Sequence, residues 1–196
     1  MKTILIVLVF ILSGCSVTTP TVTDYRIDPD VTISNKSTNS QKRSIKVMPI
    51  FVNTSLATNN MRYRIGEYKE YAFTQSAWSE SPNRAIANKL VNILEASNLF
   101  HGVYGYKSSK KGDLVLEFSL NEFIQSFNEL QNSSSVTLNI SYNLIERKTR
   151  KLIASKIITK TMQTDSLDAQ GGVKALNSIL AQTLEETVDW LGENSQ

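Results

Sequence analysis

The strictest constraint in this chain is an alternation. Val136, Leu138, Ile140, Tyr142 and Leu144 are interleaved with Thr137, Asn139, Ser141 and Asn143. Successive side chains of a strand point to opposite faces, so this stretch predicts a strand with one buried and one polar face. A sheet built from such strands is covered on one side only. Upstream, Leu114, Leu116, Phe118 and Leu120 alternate in the same way, and then Phe123 and Phe127 fall out of phase. The phase change predicts a bulge near Asn121 or Glu122. Arg147-Lys148-Thr149-Arg150 reads as a polar turn, and Lys151 to Met162 as the third strand of a meander.

The covering layer is helical. Pro82 suits a first helical position, where its missing N–H costs nothing, and Ser81 stands ready to cap. Ile86, Leu90, Ile93 and Leu94 then share one face of a helix to about Ser97, with Leu99 and Phe100 folding back over its end. A second helix starts after Asp165 or Asp168 and carries Val173, Leu176, Ile179, Leu180, Leu184, Val188 and Leu191 at helical spacing. Gly171 and Gly172 each disfavour helix by about 1 kcal/mol, which predicts that regular helix begins after them.

The first half is less periodic. Tyr25 to Pro29 reads as a short strand stopped by proline, Asp30 to Arg43 as an exposed loop, and Ser44 to Phe51 as the start of a strand with Ile45 and Val47 on one face. Met61, Tyr63 and Ile65 alternate with Arg62 and Arg64, Gly66 permits a turn, and Tyr68 to Phe73 returns antiparallel. The expected fold is a single α+β domain: an antiparallel-rich mixed sheet with two helices packed on one face.

Residues 1–14 read as an address. Lys2 gives a positive start, and Ile4 to Leu12 are uninterruptedly apolar. At about 1.5 Å per helical residue that run cannot cross a hydrocarbon core about 30 Å thick, so it is a signal-peptide core. Leu12-Ser13-Gly14-Cys15 resembles the bacterial lipobox, with small Ser13 and Gly14 before the one cysteine of the chain. That resemblance implies cleavage between Gly14 and Cys15 and acylation of the Cys15 sulfur and amino group. Several acyl chains suffice for stable anchoring without a spanning helix. Ser16 follows, not the aspartate that resembles an inner-membrane retention signal, which points to the periplasmic face of the outer membrane. Residues 15–23 then form the lipidated N-terminus and tether, and residues 24–196 the domain.

The ordered set of Cys15, Tyr25-Arg26-Ile27-Asp28-Pro29, Met61-Arg62-Tyr63-Arg64, Glu67 to Tyr71 and Trp78-Ser79-Glu80-Ser81-Pro82 resembles the ABC-type transport auxiliary lipoproteins, the family of paraquat-inducible protein C. Leu94 to Phe100 with Val103, Asp113-Leu114 and Trp190-Leu191 extend the likeness over nearly the whole mature chain. Asn53 to Asn60 departs from it by lacking a stretch with Pro and Asp, and Pro82 stands where leucine is usual. The resemblance implies a non-catalytic accessory subunit of an envelope lipid transport system, partnered by an MCE-domain (mammalian-cell-entry) protein working with an ABC permease and ATPase. Two alternatives stand beside it: a module that carries lipid itself, and a general outer-membrane assembly lipoprotein.

The residues offer little catalytic chemistry. A lone cysteine and the lone His101 leave no multi-cysteine or His-pair metal site. No Gly-x-Ser-x-Gly elbow accompanies His101, and no Gly-rich phosphate loop is present. Neither enzyme activity nor a cofactor is therefore expected. A net charge of +3, or +2 once Lys2 leaves with the leader, is too weak for nucleic acid to be the expected partner. Tyr68, Tyr71, Trp78 and Trp190 are the aromatic candidates for partner contact. A tryptophan just before a helix cap equally suits a core position, and Trp190 equally suits locking the last helix. Arg62 and Arg64 sit on the polar side of their strand, either as a solvated face or as partners for acids or lipid phosphates.

Overall fold

The computed structural model describes residues 20–33 and 43–195. The leader, Cys15 and the tether up to residue 19 lie outside the described residues.

The long strand β7 (Leu114–Phe127) is the spine of one nine-stranded, strongly curled sheet. Along one edge it pairs antiparallel with β8 (Ser134–Glu146), which pairs with β9 (Lys151–Gln163), giving the expected meander. The register slips between Leu120 and Glu122, so Asn121 is the extra residue of a bulge. Its exposed side chain donates to Asn139 Oδ1 at 2.7 Å. The bulge lets Phe118 and Leu120 on one side of it, and Phe123 and Phe127 on the other, all reach the same buried face.

Three short strands share the other edge of β7, all running parallel to it. β2 (Ser44–Val47) pairs with its first residues, β3 (Phe51–Val52) with its middle and β4 (Asn60–Ile65) with its last. They amount to one strand broken twice. Pro49 cannot donate to a ladder and interrupts it once, and a 3-10 turn at Thr54–Ala57 interrupts it again. β6 (Gly102–Tyr104) adds to β2 in parallel, and β5 (Lys69–Trp78) returns antiparallel from β4. β1 (Thr23–Tyr25) lies parallel on the outer edge of β5. The early strand thus starts and stops before Asp28-Pro29, and β5 runs five residues beyond its expected end at Phe73.

Two helices cover the buried face. α1 (Pro82–Ser97) begins at Pro82 as expected, but Ser81 makes no side-chain cap. The N–H of Arg84, a usual target of a cap, is already bonded to the Ser81 carbonyl at 3.0 Å. α2 (Ala169–Asn194) starts before its glycines, not after them. Asp168 caps it through Gly171 N–H at 2.8 Å, and this bond with that of Ser166 Oγ–H holds the carboxyl below the usual range. Gly172 lies against the Gln125 amide, where a Cβ would collide. The Gln125 Nε2 in turn donates to Ser134 Oγ and the Asp168 carbonyl, joining β7, β8 and the helix start. Close approach, not helix breaking, explains that glycine.

Between the layers Ile45, Leu114, Leu116, Leu138, Ile140, Leu144, Ile86, Leu90, Leu94, Leu180, Leu184 and Leu191 are fully buried. Each such side chain contributes about 1.5–3 kcal/mol relative to exposure. Across the top of α2, Glu186 bonds Lys156 and Lys160 of β9 at 3.0 Å each, and these bonds hold its carboxyl below the usual range.

Candidate docking surfaces

Hairpin β4–β5 forms an arm whose two faces differ. On one face Tyr63 stacks on Tyr71 with centroids 5.6 Å apart, touches Phe73 at 4.5 Å and meets the edge of Phe127 at 5.6 Å. On the other face Arg62 pairs with Glu70, and Arg64 Nη2 reaches Glu122 Oε1 at 3.2 Å. The two arginines are therefore satisfied within the chain. At the turn, Gly66 adopts φ 62° and donates its N–H to the Phe127 carbonyl at 3.0 Å. That left-handed conformation is one that side chains disfavour, and a Cβ there would strike Glu129.

This turn brings Tyr68 to the end of the arm, where it is 92% exposed, while Tyr71 is 44% exposed. Beside it stands the β7–β8 turn, joined by Lys69 Nζ to Glu129 Oε2 at 3.2 Å. That second turn presents Leu130, 80% exposed. Leu130 is absent from the sequence expectations. Its only signal was one apolar residue inside the polar run Asn128 to Ser133. Tyr68, Tyr71 and Leu130 make an exposed aromatic and aliphatic tip whose flanking cations, Arg62, Arg64 and Lys69, are paired.

Trp78 and Trp190 belong elsewhere. They are 3% and 7% exposed. Trp78 packs on Phe123 with centroids 5.6 Å apart, and Trp190 on Tyr142 at 6.1 Å, with Tyr142 stacked on Phe118. Trp190 ties helix to sheet and Trp78 packs β5 on β7, and their burial takes both off the exposed surface. Burial pushes the Tyr142 phenol up and keeps it neutral.

The opposite end of β7 is held by Asp113, which accepts from Ser44 N–H at 2.9 Å and Ser44 Oγ–H at 2.7 Å and is held below its usual range by both. His101 is exposed nearby, its backbone N–H bonded to the Arg43 carbonyl at 3.1 Å. Among the described residues no group of three His, Cys, Asp or Glu side chains is placed to hold a metal. No described helix is long and apolar enough to cross a membrane.

A cleft of about 530 Å³ opens between α1 and the loop after β6, off the carboxyl ends of the parallel strands β2 and β6. Pro49, Ile50 and Val91 line it together with Asn83, Asn88 and Lys107. It lies beside the helix, not between sheet and α2, where the core side chains interlock.

The hairpin thus presents an apolar tip on a shaft of paired cations, in front of a body with a packed core. The model of the ABC-type transport auxiliary lipoprotein component matches residues 25–188, and the chain belongs to that family. Its members are auxiliary transport components, not known enzymes. Among solved structures, the fold is similar to that of protein XCC0632 from Xanthomonas campestris, with a TM-score of 0.79 at 17% identity over 89% of this chain and 97% of that one. It is also similar to an uncharacterized protein, with a TM-score of 0.62 at 15% identity over 90% of this chain and 99% of the other. At such identities the likeness is one of fold. Among curated proteins nothing matches significantly.

Proposed function

We propose that this chain is the envelope-anchored docking subunit of an ABC-type lipid transporter, joining it to an MCE-domain protein through the tip of the β4–β5 arm. Residues 1–14 are removed, Cys15 carries the acyl chains, residues 16–22 act as tether, and the body stands on the periplasmic face of the outer membrane. The observation that carries the reading is the exposure of Tyr68 and Tyr71 on an arm whose cations are internally paired, with Leu130 exposed beside them. Aromatic anchors with paired surroundings are what partner surfaces use for energy. The family membership supports the transport setting, and the apolar leader ending at Cys15 supports the anchor. The packed core favours docking over lipid carriage by the body itself.

The test is a Cys15→Ala chain alongside the unaltered one in the native cell. The unaltered chain incorporates labelled fatty acid, fractionates with outer membrane and brings down an MCE-domain protein on gentle cross-linking. Cys15→Ala abolishes the label and leaves the leader attached. Normal acylation of the variant contradicts the anchor, and recovery of only outer-membrane assembly proteins contradicts the transporter.

A further inference from the structure

The end of the sheet opposite the arm carries a charge pattern that no reading above uses. Three stretches far apart in sequence meet there. Arg147 N–H bonds the Asp113 carbonyl at 3.0 Å and its Nε bonds the Gly112 carbonyl, which lays the β8–β9 turn against the loop before β7. Arg43 pairs with Glu146 at the same place. This assembly leaves Lys110, Lys111, Lys148, Arg150 and Lys151 exposed, with no acidic partner for any of them among the described residues. The carboxylates that brace these stretches are committed, Glu146 to Arg43 and Asp113 to Ser44. A chain with a net charge of +3 thus gathers five unpaired cations on one end.

We infer that this end seats on the surface of a bilayer containing anionic phospholipid. Four of the five cations are lysines, which are depleted at protein–protein interfaces, whereas diffuse attraction to anionic lipid needs only their number and nearness. Exposed apolar side chains adjoin them: Leu152 is 53% exposed, one residue past Lys151, with Ile153 beside it. Basic groups rimmed by apolar ones fit the boundary between headgroups and acyl chains. The backbone gives a separate sign. Arg150 holds φ 58°, a left-handed position that glycine or asparagine takes at lower cost. Departures from local preference of this kind gather at functional sites. The inference stands independently of the arm and of Cys15.

The core runs from Ile27 to Leu191, so a chain secreted from residue 16 onward without acyl chains keeps every core contact described. That chain is mixed with vesicles of phosphatidylcholine, with or without phosphatidylglycerol, and sedimented. It is expected to sediment only with the phosphatidylglycerol vesicles and to be released by salt. Each basic residue near such a surface is worth about fivefold in binding, so Lys110→Glu, Lys111→Glu and Lys148→Glu together lower it by more than about a hundredfold. The matching three arginine substitutions retain it. Native-like tryptophan fluorescence checks folding, since Trp78 and Trp190 report on the core. Equal sedimentation with both vesicle types overturns the inference, as does undiminished binding of the glutamate variant. Retention on polyglutamate without retention on anionic vesicles also overturns it and hands the surface to an acidic protein.

Discussion

The two ends of β7 are built by the same ladder and carry opposite surface chemistry. At the Phe127 end every cation of the arm has its acid, Arg62 with Glu70, Arg64 with Glu122 and Lys69 with Glu129, and what projects is Tyr68 and Leu130. At the Leu114 end the acids are taken up in holding strands together, and what projects is unpaired charge. A surface of the first kind recognises by shape and apolar burial, short in range and insensitive to salt. One of the second kind attracts over about a Debye length and holds no fixed register. On the two proposals made above, the arm takes a specific protein partner and the far end a membrane surface.

Damage to the shared core must weaken both ends, whereas changes at one end must spare the other. The largest effect is expected from Leu180→Ala, which leaves a cavity between α2 and the sheet and should cost about 2–5 kcal/mol. Urea denaturation reads this directly, and partner capture and vesicle binding should fall together above the lowered midpoint. A smaller and more pointed effect is expected from Arg150→Gly. Relief of the left-handed backbone should raise stability by about 1 kcal/mol, while removal of one cation lowers vesicle binding about fivefold. Thermal melting and sedimentation together check it. A gain in stability with unchanged vesicle binding would detach that residue from the membrane surface.

Much of this architecture is legible in the residues. The meander β7–β8–β9 and helix α2 announce themselves because each repeats one period for a dozen residues or more, and the phase slip at Asn121 marks its own bulge. The parallel edge is not legible. Alternation tells which face a residue takes but not which strand lies beside it, and β2, β3 and β4 are too short and too interrupted to reveal that they form one broken strand. The helix start at Ala169 is hidden for a related reason, since Gly172 looks like a breaker until Gln125 is seen against it.

The docking surfaces divide in the same way. Tyr68 sits in a turn after Gly66, so its exposure follows from local pattern, whereas Leu130 joins it only through the contact of two turns. The cationic end is spread over Arg43, Lys110-Lys111 and Arg147 to Lys151, and the small net charge conceals it. Strand pairing across β2, β7 and β8 assembles it. Trp78 and Trp190 show the converse, aromatic residues that fit a partner surface by type and are claimed by the core.

The most direct test of the account is a photoreactive amino acid placed in the native cell at position 68 in one strain and at position 148 in another. The account predicts that position 68 cross-links to one defined protein, an MCE-domain subunit, and that position 148 yields phospholipid adducts and no comparable protein. A single protein captured equally from both positions, or lipid from position 68 and protein from 148, would contradict it.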